Sequence, residues 1–174
     1  MSALLNLWNS IVDRLEPVGA WVGLLPIRLL MGYEFGKAGI MKFNASDALY
    51  GDVPGWFAGK DFMFPFSLFS PSFNWFAVTW VEIIGGIALF FGLFSRFWAF
   101  SLIVVTIVAI LSTHWPAEWN SLAELWDGYR ITAKDGSGNF RVPLLFLAML
   151  FPFVFAGAGK LSLDHILFKK LGQR

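Results

Sequence analysis

The chain has 174 residues, of which 57% are hydrophobic and 14% are charged, and its net charge is +1. Soluble domains carry about one-quarter charged residues, so this composition indicates a membrane protein whose expected partner is the lipid bilayer. The length fits a single domain over residues 1–174. The near-neutral net charge argues against nucleic acid as a partner. The lack of cysteine excludes disulfide exchange, iron–sulfur ligation and thiolate metal sites within the chain.

The first sixteen residues have the spacing of an amphipathic helix lying in the membrane interface, and they lack the pattern of a signal peptide. An apolar segment follows at about 18–41, and Pro17 suits its first turn. Further apolar segments lie at about 73–94, 97–113 and 142–158. Since roughly 20 apolar residues cross a bilayer, the chain is predicted to be an all-α, four-helix integral membrane bundle.

Two long connections and the C-terminal tail are too apolar to be simple solvated loops. Residues 42–72 are rich in aromatic side chains, which predicts a short helix near 46–58 and then a segment pressed against the bilayer surface. The second connection predicts a helix at about 117–126 and a turn at 134–139. The tail at 159–174 has an apolar face between basic residues. Both outer loops and the tail are therefore predicted to carry interfacial amphipathic helices.

Ionisable residues lie inside two of the apolar segments: Arg28, Glu34 and Lys37 in the first, and Glu82 near the centre of the second. Such groups are expensive in a bilayer, so they usually face a bundle interior and have partners there. The four are predicted to form one polar cluster, with Glu82 and Glu34 as catalytic proton carriers and Arg28 and Lys37 as ligand-binding groups. The alternative is that they are buried ion pairs that fix helix register.

His114 lies at the outer end of the third crossing, next to a tryptophan. It is either an interfacial belt residue or a ligand contact, and it is grouped with Trp80 as a ligand-binding candidate. Neither His114 nor His165 lies in a recognised metal-binding spacing, so no metal or haem site is predicted.

Small residues predict where the helices approach one another closely. Gly32 and Gly36 form such a pair in the first crossing, and Gly85 and Gly86 form another in the second. The short turn at 92–96 makes the second and third crossings antiparallel neighbours.

An even number of crossings places both termini on one side of the membrane. That side carries six basic residues and the other carries five, but the five lie in longer loops, which count less. Both termini are therefore predicted to be cytoplasmic. Lys160 and Asp164 in the tail are four residues apart and could pair on a surface helix.

Three stretches of the chain resemble the DoxX family of small bacterial inner-membrane proteins. The first is Arg28–Gly32 followed by Gly36–Lys42, and the second runs from Glu82–Gly86 through Gly92–Arg96. The third is Gly157–Asp164, which is similar to the terminal Gly-x-Gly-Arg/Lys-x-Ser-Leu-Asp signature of that family. Within these stretches Arg96, Lys160 and Asp164 are predicted to have structural roles.

This resemblance implies a four-helix bundle in the bacterial inner membrane and an association with quinone-linked oxidoreductases. The chain is therefore predicted to be the membrane subunit of such a system, with a quinone or a small anion bound to the polar cluster from the outer side. The electrons that reduce the quinone would come from a bound substrate or from a soluble or membrane redox partner. The alternative is a non-enzymatic assembly or transport protein whose buried charges fix helix or partner packing. The sequence leaves catalysis by the chain itself and oligomerisation open.

Overall fold

The computed structural model describes residues 2–45, 53–134 and 136–172, and all regular structure within these ranges is helical. The α-helices of this part of the chain, in order, are α1 (Ser2–Val22), α2 (Leu25–Asn44), α3 (Gly55–Ala58), α4 (Pro71–Phe91), α5 (Ser95–Ala109), α6 (Leu122–Asp127), α7 (Arg141–Ala156) and α8 (Leu163–Lys170). A 3₁₀ turn lies at Phe66–Leu68, and a π-helical turn, Ile110–His114, extends α5.

Three helical stretches of the described chain are long and apolar enough to cross a membrane: Leu4–Asn44, which joins α1 and α2, Pro71–Phe91, and Ser95–His114. The fourth predicted crossing corresponds to α7, an apolar helix of 16 residues. Its length is about 24 Å, whereas the hydrocarbon core of a bilayer is about 30 Å thick. Three of the four predicted crossings therefore have the required length, and α7 is short.

No helix begins near residue 18, where the first crossing was predicted to start. Pro17 lies inside α1, which continues to Val22, and the helix breaks at Gly23 and Leu24 before α2 starts. Pro26 occupies the first turn of α2, where its missing N–H leaves no internal hydrogen bond unmade. The combination of Gly23 and Pro26, three residues apart, interrupts the helix, whereas Pro17 alone does not.

The face that α2 turns towards α4 is built from glycine, as predicted. A Cβ atom on Gly32 would lie 2.8 Å from the Gly86 carbonyl oxygen, and one on Gly86 would overlap the backbone of Gly36. Gly36 itself has open space where a Cβ would be. Gly85 points to the other side, where its Cβ would lie 3.1 Å from the ring of Trp98 on α5. Of the two adjacent glycines of α4, Gly86 therefore allows α2 to approach closely and Gly85 allows α5 to do so.

Helices α5 and α7 pack with α2 and α4 around an apolar core. The α4–α5 turn begins at Gly92, whose φ of 71° suits glycine, and α7 packs along α5 and touches α2. The buried core side chains come from α2, α4, α5 and α7: Met31, Phe35, Leu89, Ala99, Leu102, Leu150 and Phe153.

Short helices appear in the loops and the tail, but they are smaller than predicted. In the first loop α3 covers only Gly55–Ala58, and residues 46–52 of the predicted helix lie outside the described residues. In the second loop α6 covers Leu122–Asp127. The helix of the tail, α8, has an exposed apolar side that includes Ile166 and Leu167. The exposed apolar side chains of α1 and α8 are of the kind expected against lipid.

Candidate functional site

Glu82 is buried on the side of α4 that faces α2, and its partner is Lys42. The Lys42 ammonium lies 2.6 Å from Glu82 Oε2, and the side chains are 24% and 7% exposed, respectively. Helix α2 brings Lys42 there because Gly39, one turn earlier, packs against the Glu82 Cβ position. The sequence prediction missed Lys42 because it ended the first crossing at residue 41, whereas α2 continues to Asn44.

Arg28 does not join this pair, which makes the predicted four-residue cluster wrong. Its Nη1 donates a hydrogen bond of 2.8 Å to the Ala158 carbonyl oxygen, and it lies beside Gly92 at the other end of α4. Gly92 is ten residues from Glu82, which is about 15 Å along a helix. Arg28 and Lys42 share one face of α2, but they mark its opposite ends.

Glu34 and Lys37 also stand apart from Glu82. Glu34 is half-buried and Lys37 is exposed, and within the described part of the chain neither makes an ion pair. Glu34 and Lys37 therefore do not pair with each other or with Glu82. The Lys37 ammonium instead lies 5.8 Å from the centre of the Tyr33 ring. The glycine face of α2 is the one against α4, so residues between the glycines in sequence point elsewhere.

A second buried polar group lies one turn from Glu82 on α4. Thr79 is 3% exposed, and its hydroxyl has no hydrogen-bond partner among the residues described. A threonine on a helix can donate to the carbonyl four residues earlier, as Thr106 does to Leu102 at 2.7 Å. Thr79 does not, so its hydroxyl is free to donate to another group.

Aromatic side chains of the first loop cover the adjoining end of α4. The ring of the buried Trp75 lies 5.8 Å from that of Trp56 and 4.8 Å from that of Phe57. Trp80 is half-buried on another side of α4 and packs edge-on against Phe43, with 5.9 Å between ring centres. Trp80 therefore belongs to the α2–α4 packing, and Trp75 forms the aromatic cover.

Three cavities of about 340–810 Å³ lie between or beside the described helices, and Glu82 lines none of them. The Glu82 side chain itself is 7% exposed.

His114 has a clear structural role. Its Nδ1 lies 2.8 Å from Asn139 Oδ1, and its carbonyl oxygen accepts a hydrogen bond of 3.0 Å from the Asn139 backbone N–H. Because Asn139 belongs to the second long loop, these two bonds attach that loop to the end of α5. The predicted ligand contact of His114 stays a prediction.

Asp164 fixes the other end of the bundle. Its carboxylate accepts hydrogen bonds from the backbone N–H groups of Phe94 at 2.7 Å and Ser95 at 2.9 Å, and so caps α5. Its own N–H donates to the Gly92 carbonyl oxygen at 2.8 Å. The structural role predicted for Asp164 thus takes the form of a clamp on the α4–α5 turn.

The predicted pairing of Lys160 with Asp164 is not formed. Helix α8 begins only at Leu163, so the two residues do not share a helix. The Lys160 ammonium lies 5.8 Å from the centre of the Trp21 ring on α1, and the Lys160 N–H donates to the Ala20 carbonyl oxygen at 3.2 Å. Lys160 therefore connects the tail to α1.

Comparison with known proteins identifies relatives of this chain. The DoxX family model matches residues 23–115, which include α2, α4, α5 and the Lys42–Glu82 pair. An uncharacterized protein from Haemophilus influenzae is 30% identical over 158 residues, which cover 90% of each chain. No solved structure matches the chain.

Proposed function

This chain belongs to the DoxX family, and from that premise we propose that it is the membrane subunit of a quinone-linked oxidoreductase system. The observation that carries the proposal is the ion pair between Lys42 and Glu82, 2.6 Å long and buried between two apolar helices. Ionisable groups at such positions are costly and are most often retained for a ligand or a proton.

The residues around the pair fit a quinone head group. Such a ring needs apolar contacts and a few donors at its carbonyl oxygens. Lys42, which pairs with Glu82, and the unpartnered hydroxyl of Thr79 are donors. The Trp75 ring, one turn before Thr79 on α4, and the Phe57 ring packed against it supply apolar surface. When bound, a quinone would supply two-electron, two-proton chemistry. Lys42 and Thr79 would orient it, Glu82 would hold a proton, and a substrate or partner subunit would provide the electrons.

Quinone binding by the purified protein in lipid nanodiscs tests the proposal. Titration with a short-chain ubiquinone analogue, followed by tryptophan quenching, is expected to saturate for the wild type. Glu82→Gln and Thr79→Val are each expected to weaken binding about tenfold, the equivalent of one hydrogen bond to a buried or charged group. Glu34→Gln is the matched control, since this carboxylate has no ion pair in the described chain.

Glu82→Gln is suitable for this test because it leaves no buried charge behind. Lys42 is 24% exposed, and its long side chain can turn to the interface when its partner is removed. The thermal midpoint of the Glu82→Gln variant is therefore expected to stay close to that of the wild type. Absence of saturable binding by the wild type, or equal affinity of Glu82→Gln and Glu34→Gln, would contradict the quinone proposal.

The packing of Glu82 favours a second candidate, a non-enzymatic assembly protein. The pair joins α2 to α4, and Glu82 lines none of the three cavities, as expected of a purely structural ion pair. In that case Glu82→Gln would change the size of the complex isolated in mild detergent, while the wild type would bind no quinone analogue.

We further infer that α2, α4, α5 and α7 form a four-helix bundle in the bacterial inner membrane, with both termini in the cytoplasm. The contacts of α4 with α2 and α5, and of α7 with α5 and α2, support a closed four-helix arrangement. Kinks and local thinning of the bilayer accommodate a helix as short as α7 at modest cost.

A further inference from the structure

We propose that the end of the bundle where α5 begins binds the phosphate group of an anionic phospholipid. Two neighbouring cavities, of about 480 and 810 Å³, lie there and share Lys160 and His165 in their walls. They are formed by α1, the α4–α5 turn, the end of α7 and α8. This inference is independent of the quinone proposal, which concerns Glu82, ten residues before Gly92, and its neighbours.

The charge around these cavities favours an anion. Arg96 and Lys160 line the smaller cavity, and Lys169 and Lys170 line the larger one together with Lys160. Among the described residues that form these walls, the one carboxylate is that of Asp164. Both of its oxygens already accept backbone N–H groups of α5, so its charge is committed to the helix terminus. The two cavities are therefore lined by four basic side chains and by one carboxylate that is already hydrogen-bonded to backbone N–H groups.

One residue that lines the smaller cavity has an unpartnered hydroxyl. Ser95 is fully buried, lines this cavity, and its Oγ has no hydrogen-bond partner among the described residues. A buried hydroxyl without a partner is destabilising, so a phosphate oxygen that entered the cavity would satisfy it.

The surroundings identify a lipid rather than a free phosphate ion as the source of that group. Phe94 and Phe97 line the smaller cavity and are 59% and 62% exposed, and Trp21 and Phe91 line the larger one and are 47% and 56% exposed. Such exposed rings beside basic groups offer contacts for acyl chains as well as for a head group. Basic pockets at the ends of membrane helices bind anionic lipid head groups in this way.

Native mass spectrometry of the purified protein with added phosphatidylglycerol or phosphatidylcholine tests the inference. The wild type is expected to retain phosphatidylglycerol in preference to phosphatidylcholine. Each basic group near a membrane surface contributes about fivefold to such binding, so Arg96→Gln/Lys160→Gln is expected to weaken it about 25-fold. Lys60→Gln/Lys134→Gln removes the same charge from residues that line neither cavity and is expected to bind as the wild type does.

Ser95→Ala separates ligand binding from folding. This change removes the unpartnered hydroxyl without opening a large cavity, so the thermal midpoint in a neutral detergent is expected to hold, while phosphatidylglycerol affinity is expected to fall severalfold. Equal retention of the two lipids would overturn the inference. So would unchanged affinity in both the Ser95 and the Arg96/Lys160 variants, or displacement of the lipid by millimolar inorganic phosphate, which would indicate a site for a soluble anion.

Discussion

At the scale of single residues, Asp164 holds together segments that are far apart in sequence. It caps α5 through Phe94 and Ser95, and it reaches them from the tail 69 residues later. Phe94 has φ of 47°, a conformation that non-glycine residues rarely adopt. The hydrogen bond to its N–H therefore stabilises both a helix terminus and an unfavourable backbone geometry.

Removal of this carboxylate is expected to destabilise the protein. Asp164→Ala should lower the free energy of unfolding by about 2 kcal/mol, the upper range for loss of a helix cap, because two backbone N–H groups lose their charged acceptor. Asp127→Ala is the control, since its pair with Arg130 at 3.3 Å is exposed and is expected to contribute less than about 0.5 kcal/mol. Reversible unfolding in mixed micelles, followed by circular dichroism, measures both. Equal effects of the two changes would show that the cap contributes nothing.

At the scale of helices, the approach of α2 to α4 depends on which glycine faces the partner backbone. Gly86 abuts the backbone of Gly36, whereas a Cβ on Gly36 meets open space. Two glycines in the same contact therefore have different tolerance for a methyl group. The sequence marks both as small but does not distinguish them.

This asymmetry predicts opposite outcomes for two matched substitutions. Gly86→Ala is expected to destabilise the protein by about 3 kcal/mol or more, because the added methyl group forces the two helix backbones apart. Gly36→Ala is expected to be neutral or slightly stabilising, since alanine also favours the helix. The yield of monodisperse protein and its thermal midpoint in detergent measure the difference. Similar losses in both variants would show that the helices approach along another face.

The separation of α2 from α4 also decides whether the buried ion pair forms. Lys42 reaches Glu82 within 2.6 Å because Gly39 lets the two helices meet at this level. Gly86→Ala is therefore expected to weaken the pair as well as the packing.

At the scale of the whole molecule, the number of crossings depends on α7, which is shorter than each of the three candidate membrane spans. It has 16 residues and contains Pro152. If α7 crosses, both termini lie on one side of the membrane. If it does not, they lie on opposite sides.

The cysteine-free sequence permits a direct test of this topology. Single-cysteine variants at the exposed positions Ser10, Glu118 and Gly172 can be labelled in intact spheroplasts with a membrane-impermeant maleimide. We expect Glu118→Cys to react at once, and Ser10→Cys and Gly172→Cys to react only after lysis. Labelling of Gly172→Cys but not of Ser10→Cys in intact spheroplasts would mean that α7 does not cross.

Sequence alone determined the class of this protein, its family and most of its helices. The low charge and long apolar segments follow directly from composition, because a bilayer selects for them whatever the tertiary structure. The glycine pairs at 32 and 36 and at 85 and 86 likewise indicated close helix contacts. The helix boundary at Gly23 was missed because both Pro17 and the Gly23–Pro26 segment are candidate helix breaks in the sequence. Which of them interrupts the helix depends on the surrounding structure.

Only the tertiary structure decided which charges meet. Lys42, not Arg28 or Lys37, pairs with Glu82, and Asp164 binds the start of α5 instead of Lys160. These outcomes depend on the rotation and axial register of two antiparallel helices, which their glycine contacts fix to within one turn. One turn of a helix is about 5.4 Å, more than the whole length of an ion pair. A sequence shows which residues are charged and roughly how deep they lie, but helix packing selects their partners.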